Sequence, residues 1–461
     1  MLFNSIEFIF FFLPAVFSVY FFFTKIRLFE ISKIWLILAS LFFYGFWNID
    51  YVPLIISSIL INFYLGQLLV GRKINLDKKI IFLAGIIINI SILGFFKYFD
   101  FIIFNINHIS GSNMSLMNIA LPLAISFFTL QQIAFLVDCY EGISEEKSLI
   151  NYSLFIVFFP QLIAGPIVHH KNTLSQFSDI KNKRLNLKNV QVGILIFSIG
   201  LFKKIVLADN LAEIANPGFK EYYSHDFYSA WLTAVAYSLQ LYFDFSGYAD
   251  MAIGSALLFN IKLPINFNSP LKSTSIIEFW SRWHISLTNF INAYIYNPVL
   301  LSFKQISFSK AMFATFISIM IAGIWHGAAW SFFLYGLVHS LALIANHLFR
   351  KNKLRMNNFL SWVLFFIFIN CAFVIFRAET LTGSFNIILS MFSFSHLNEI
   401  NTLDLIIVIF AFLLIFPSRN STYYYKNGVK SNLKAAIFLA GIMVINFASI
   451  SEPSTFIYFQ F

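Results

Sequence analysis

Cysteine is nearly absent from this chain. Only Cys139 and Cys371 occur, too few for a disulfide framework, and no His/Cys spacing of the metal-binding kind accompanies them, so neither a disulfide nor a metal site is expected. Charge is scarce as well. Charged residues make up 11% of the 461 positions against 59% hydrophobic and 19% aromatic, where a soluble domain carries about 25% charged residues. With a mean hydropathy of +0.77, this balance excludes a water-soluble globular fold and indicates a polytopic membrane protein. Acids are fewer than bases, 21 against 31, for a net charge of +10. Such an excess can serve nucleic acid, but here the bases fall in short loops between apolar runs, which is the signature of membrane topology, and no nucleic-acid partner is expected. The opening MLFNSIEFIFFFLPAVFSVYF has no basic region before its apolar run and no small-residue cleavage site after it. A removable signal peptide is therefore not expected, and the first helix is read as retained. Nor is there a visible internal repeat, which counts against an inverted-repeat transporter.

Twelve apolar segments of spanning or near-spanning length are present, at 5–23, 33–47, 52–70, 80–99, 119–137, 189–207, 228–243, 309–325, 328–348, 358–376, 403–416 and 435–449. They predict an all-α polytopic protein of about 11–13 transmembrane or re-entrant helices, forming one integral membrane domain over residues 1–461. Four loops are basic: Arg72, Lys73, Lys78 and Lys79; Lys171, Lys181, Lys183, Arg184 and Lys188; Arg350, Lys351, Lys353 and Arg355; Arg419, Lys426, Lys430 and Lys434. These are assigned to the cytoplasm, and the loop with Glu141, Glu145 and Glu146 and the stretch from Glu379 to Glu399 to the outside. Phe158 to His170, FFPQLIAGPIVHH, sets two prolines and a glycine in an apolar run, which predicts a broken or re-entrant segment. His169 and His170 at its end are read as interfacial. In LYFDFSGYADMAIG, Asp244 and Asp250 flank a Ser-Gly pair read as a helix break. Carboxylates in such surroundings need partners, and backbone or Ser246 hydrogen bonds are the partners expected.

The segment from Glu278 to His326 holds the most chemistry. It opens with EFWSRWHISL and closes with AGIWHG, so His284 and His326 stand out in a strongly apolar chain. Histidine suits the taking and returning of a proton near neutral pH. Trp280, Trp283, His284 and Leu287 fall at i, i+3, i+4 and i+7, which predicts an amphipathic helix at the membrane surface with its tryptophans at headgroup level. Glu278 and Arg282, at i and i+4, are placed to pair. His326 is expected at the end of a span or inside one. His339 and Tyr335, one turn apart on the next span, are read as structural or channel-lining.

These stretches, with NFNSPLKSTSII before the first histidine, GAAWSFFLYGLVH after the second and the late FVIFRA, resemble the membrane-bound O-acyltransferases, specifically their bacterial alginate and peptidoglycan O-acetyltransferase branch. The motif-bearing core covers about residues 155–345. The resemblance implies that His326 is the catalytic histidine in a funnel buried within the membrane and that His284 is the second histidine of the site. It also implies an acetyl donor, acetyl-CoA, used without a bound cofactor; a polysaccharide acceptor; a periplasmic partner O-acetyltransferase; and a multi-pass location in the bacterial inner membrane. Many relatives carry an Arg-Asp pair where this chain has Asn292 and Ala293. That departure points away from alginate, and peptidoglycan is the acceptor expected first, with an alginate-like polymer second.

Acyl transfer to a hydroxyl needs a base and donors for the oxyanion. His326 suits the base, and Trp325, Trp283, Arg282, Asp250 and Asp244 are candidates for holding the donor, with Lys272 beside Arg282 for its phosphates. A proton-coupled transporter, in which these His and Asp residues form a relay, is the competing class.

Overall fold

A computed structural model describes residues 1–71, 77–163, 165–168, 170–394, 401–417, 419–430, 432–450 and 454–457. Arg72, Lys73, His169 and Glu399 lie outside the described residues. Among the described residues every regular element is a helix, and none is a strand. Each of the twelve apolar segments falls on a helix. Seven helices are long and apolar enough to cross a membrane, and four shorter apolar ones accompany them.

The described residues divide into two compact units, Met1–Phe197 with Met251–Pro264, and Ser198–Asp250 with Ile265–Phe461. In the first unit the phenylalanine richness becomes an aromatic core. Phe159 packs edge-on to Phe12 at 5.1 Å and to Phe259 at 5.9 Å. The polar residues inside the helices pair across them, as apolar surroundings demand. Asn62 and Asn89 exchange amide hydrogen bonds of 3.2 and 2.6 Å, and Gln132 reaches Ser58 at 3.1 Å. The predicted break is present: the helix Leu149–Val157 ends, a short turn follows at Phe159–Leu162, and among the described residues no helix resumes before His170. His170 is not interfacial. It is 3% exposed, and its Nδ1 lies 2.9 Å from the Asp138 carboxylate.

One topology assignment is corrected. The Gln67 amide, near the end of Val52–Val70, donates to the Glu146 carbonyl at 2.6 Å. The acidic loop therefore sits at the same end of this unit as the close of Val52–Val70, with Lys78 and Lys79 opening the next helix, and cannot lie on the opposite side of a membrane from that end. Acidic residues weigh little in topology, so three glutamates were a weak guide.

The second unit contains both motif histidines. Phe308–His326 and Trp330–Lys351 form a tight helical hairpin. A Cβ on Gly323 would come within 2.5 Å of the Gly336 Cα, so two backbones meet where only hydrogen fits. The Ser-Gly pair at 246–247 does not break its helix, which runs unbroken from Phe227 to Leu258. Gly247 serves close approach: a Cβ there would lie 2.7 Å from the Gly200 carbonyl.

Candidate functional site

The EFWSRWHISL stretch is two short helices, not one amphipathic helix. Ser275 caps Ile276–Trp280 by accepting the Glu278 N–H at 3.2 Å, while the Glu278 carboxylate accepts the Thr274 N–H and hydroxyl at 2.9 and 3.0 Å. Glu278 also pairs with Arg282 at 2.8 Å, as the spacing predicts. Burial alone would raise the Glu278 carboxyl, but the Thr274 hydrogen bonds and the Arg282 charge outweigh it and hold it below the ordinary carboxylate range. The chain then turns. His284 takes a left-handed conformation, φ +43°, and starts the second helix, Ile285–Ile291. Two backbone hydrogen bonds to the preceding loop enforce this turn, Asn268 N–H to Arg282 O at 2.9 Å and Ile285 N–H to Asn266 O at 3.0 Å. A left-handed non-glycine residue persists only when its surroundings over-determine it. Trp280 and Trp283 are 6% and 4% exposed, so they belong to the protein interior and not to the headgroup level.

His284 is 1% exposed, and its Nδ1 lies 3.2 Å from the Asn266 side-chain oxygen, which also accepts from the Ser286 N–H at 3.1 Å and hydroxyl at 2.9 Å. An oxygen that accepts from both obliges Nδ1 to carry the proton in the neutral ring, which leaves Nε2 as the acceptor nitrogen. His326 is the last residue of its helix and 4% exposed, as the end-of-span reading predicts. A Cβ at the following Gly327 would overlap the Phe332 ring, so the hairpin that presents His326 requires glycine there.

Ring contacts join the two histidines. His326 packs against Trp325, Phe376 and Tyr335, with centroids at 5.2, 5.4 and 6.1 Å. Tyr335 lies 4.3 Å from His339, and His339 lies 5.4 Å from Trp280. From Phe279 the run continues to Trp283 at 5.5 Å, then Phe267 at 5.0 Å, then His284 at 6.4 Å. Trp283 is thus part of the aromatic wall between the histidines, and Trp325 packs on its His326 end.

The other candidates sit elsewhere. Arg282 is half-exposed and held by Glu278, and Lys272 donates to the Phe416 carbonyl at 2.9 Å. The partners of Asp244 and Asp250 are lysines: Asp250 pairs with Lys203 and Asp244 with Lys204, each at 2.7 Å. Ser421 adds a hydrogen bond to Asp250 at 2.7 Å, and the Ile457 N–H one to Asp244 at 2.9 Å. These carboxylates join helices to each other and to the late part of the chain. Between them Phe245 faces the site, its ring 4.8 Å from His284. Sequence reasoning passed over Lys203 and Lys204, although two lysines inside an apolar run are themselves a signal of buried partners. Among the described residues no cluster of His, Cys, Asp or Glu could hold a metal.

Residues 118–382, more than half of the chain, match the family model described as MBOAT, membrane-bound O-acyltransferase family. The chain belongs to the membrane-bound O-acyltransferase family. This membrane-bound O-acyltransferase is 41% identical to the peptidoglycan O-acetyltransferase of Helicobacter pylori, over 100% of this chain and 98% of that protein. It is 34% identical to the probable alginate O-acetylase AlgI of Pseudomonas aeruginosa, over 88% and 78%. With the teichoic acid D-alanyltransferase of Bacillus subtilis it shares 27% identity over 56% and 69%. Membership makes the chain a multi-pass membrane acyltransferase and removes the transporter reading. Asn292 and Ala293, at the departure from the common pattern, open a π-helical turn over Asn292–Tyr296.

Proposed function

We propose that this chain moves acetyl groups from acetyl-CoA in the cytoplasm across the bacterial inner membrane for the O-acetylation of peptidoglycan. The observation that carries this reading is the 41% identity, over the full length of both chains, to a peptidoglycan O-acetyltransferase. The buried His326 at the head of an aromatic wall supports an acyl-transfer site. In this reading His326 takes the proton from the oxygen that receives the acetyl group. That oxygen attacks the thioester carbonyl; the C–O bond forms and the carbonyl π pair moves onto oxygen. The oxyanion then collapses, the C–S bond breaks, and the departing thiolate takes the proton from His326. His284, whose Nε2 is the acceptor nitrogen, receives a hydrogen bond from donor or acceptor and so orients it. The receiving oxygen belongs to the sugar or to a nucleophile on a periplasmic partner transferase, and both use the same proton transfer.

The test is ester-linked acetate released by mild base from purified peptidoglycan and, separately, from exopolysaccharide, in cells carrying wild type, His326→Ala or His284→Ala, with membrane levels matched. Loss from peptidoglycan alone in the His326→Ala strain is expected. Unchanged acetate in both polymers, with the variant normally inserted, overturns the assignment.

A further inference from the structure

Where the first spanning helix turns into the helix that follows it, four cations surround one cavity. Glu7–Lys25 ends, and Phe29–Gly45 begins after the turn that contains Arg27. Beside this turn lies the short helix Ile180–Lys183, followed by Arg184. Together they enclose about 610 Å³, within the usual range for a ligand site. Lys25, Arg27, Lys183 and Arg184 supply its charge, Phe21 and Leu185 part of its apolar wall, and no acid is among the described residues that line it. Among the described residues none of the four side chains has an ion pair or a hydrogen bond. The nearby acid, Glu30, is engaged by Lys33 at 2.7 Å.

Lys183 is the informative member. It is 6% exposed, its ammonium lies 5.9 Å from the Tyr20 ring centroid, and it lines the cavity. Burial and then the Lys33 charge push its pKa down to about 8, with only Glu30 opposing them. A buried ammonium with no direct ion pair, its one nearby carboxylate already engaged by Lys33, calls for an anion to complete its surroundings. Three features identify that anion. The cavity sits at the end of spanning helices, where headgroups are; its lining combines cations with an apolar wall; and basic ends of spans face the leaflet rich in anionic lipid.

We propose that this cavity binds the phosphate headgroup of an anionic phospholipid of the cytoplasmic leaflet, with an acyl chain along Phe21 and Leu185. Free phosphate and the phosphates of coenzyme A share the chemistry of the headgroup but not the need for a membrane-level apolar wall.

The test uses the full-length protein in nanodiscs of mixed phosphatidylglycerol and phosphatidylethanolamine, with retained lipid counted by native mass spectrometry. Wild type is expected to retain phosphatidylglycerol in preference. Lys183→Gln/Arg184→Gln binds it about 30-fold more weakly, from two lost charges. Lys183→Arg retains it, as does Lys78→Gln/Lys79→Gln, which lowers the general basic charge without touching the cavity. Equal retention of both lipids overturns the proposal, as does unchanged binding in the Lys183→Gln/Arg184→Gln protein or equal loss in the Lys78→Gln/Lys79→Gln protein. Displacement of phosphatidylglycerol by millimolar inorganic phosphate or desulfo-coenzyme A overturns it in favour of a soluble phosphate ligand.

Discussion

Trp280 donates its indole N–H to Nδ1 of His339 at 3.3 Å, and both side chains are buried. The bond makes Nδ1 the acceptor, so the neutral His339 ring carries its proton on Nε2. His284, four residues after Trp280, has the opposite tautomer through Asn266. Trp280 thereby sets the tautomer of His339, a member of the aromatic wall, while Asn266 sets that of His284 at the end of the wall. His339→Leu leaves the Trp280 donor buried without an acceptor, at about 1–3 kcal/mol. A lowered thermal midpoint in detergent is expected for it, with a smaller shift for His339→Gln, whose amide oxygen can still accept.

Gly327 is expected to tolerate no side chain. Gly327→Ala drives a methyl group into Phe332 and displaces His326, and a misplacement of about 1 Å lowers turnover roughly 100-fold. Peptidoglycan acetate measures this loss. Phe332→Leu in the same chain is expected to restore part of it, because the steric partner has been trimmed.

Removing one member of a buried ion pair leaves the other uncompensated. Lys203→Met is expected to destabilise by about 3–5 kcal/mol because Asp250 stays behind, while Lys203→Met/Asp250→Leu loses much less. Thermal unfolding of the purified proteins separates the two, and equal losses would show that the pairing itself is not what matters.

Acid should loosen the Thr274–Arg282 turn. Since the Glu278 carboxyl lies below its ordinary range, the unfolded chain takes up this proton first as pH falls. The stability contributed by its hydrogen bonds is full above about pH 4.5 and is lost as pH drops through the folded value. The Glu278→Gln protein is expected to show a shallower fall of thermal midpoint with acid than wild type.

Much of this architecture was legible as periodicity and punctuation. Apolar runs became helices because a spanning segment must satisfy its own backbone, and the Glu278–Arg282 pair is a local relation that spacing alone reveals. The left-handed turn at His284 was not legible. Its cause is the loop at Asn266–Asn268, which pairs with it across the fold. The same holds for Asp244 and Asp250, whose lysines lie about forty residues upstream on another helix; only the register between helices reveals who faces whom. Ser246–Gly247 misled for a related reason. A glycine that lets two helices touch and a glycine that ends one look alike in a string of letters, and the Gly200 carbonyl decides between them.

The paired lysines also constrain movement. Lys203 and Lys204 are consecutive, yet they reach Asp250 and Asp244, which stand six residues apart along their helix. Six residues of helix rise about 9 Å. One bond between two rods acts as a pivot; two bonds at different heights act as bolts, blocking both rotation and sliding. This part of the second unit is accordingly clamped during turnover, and the room that substrates need to enter and leave must come from elements that are not bolted to it.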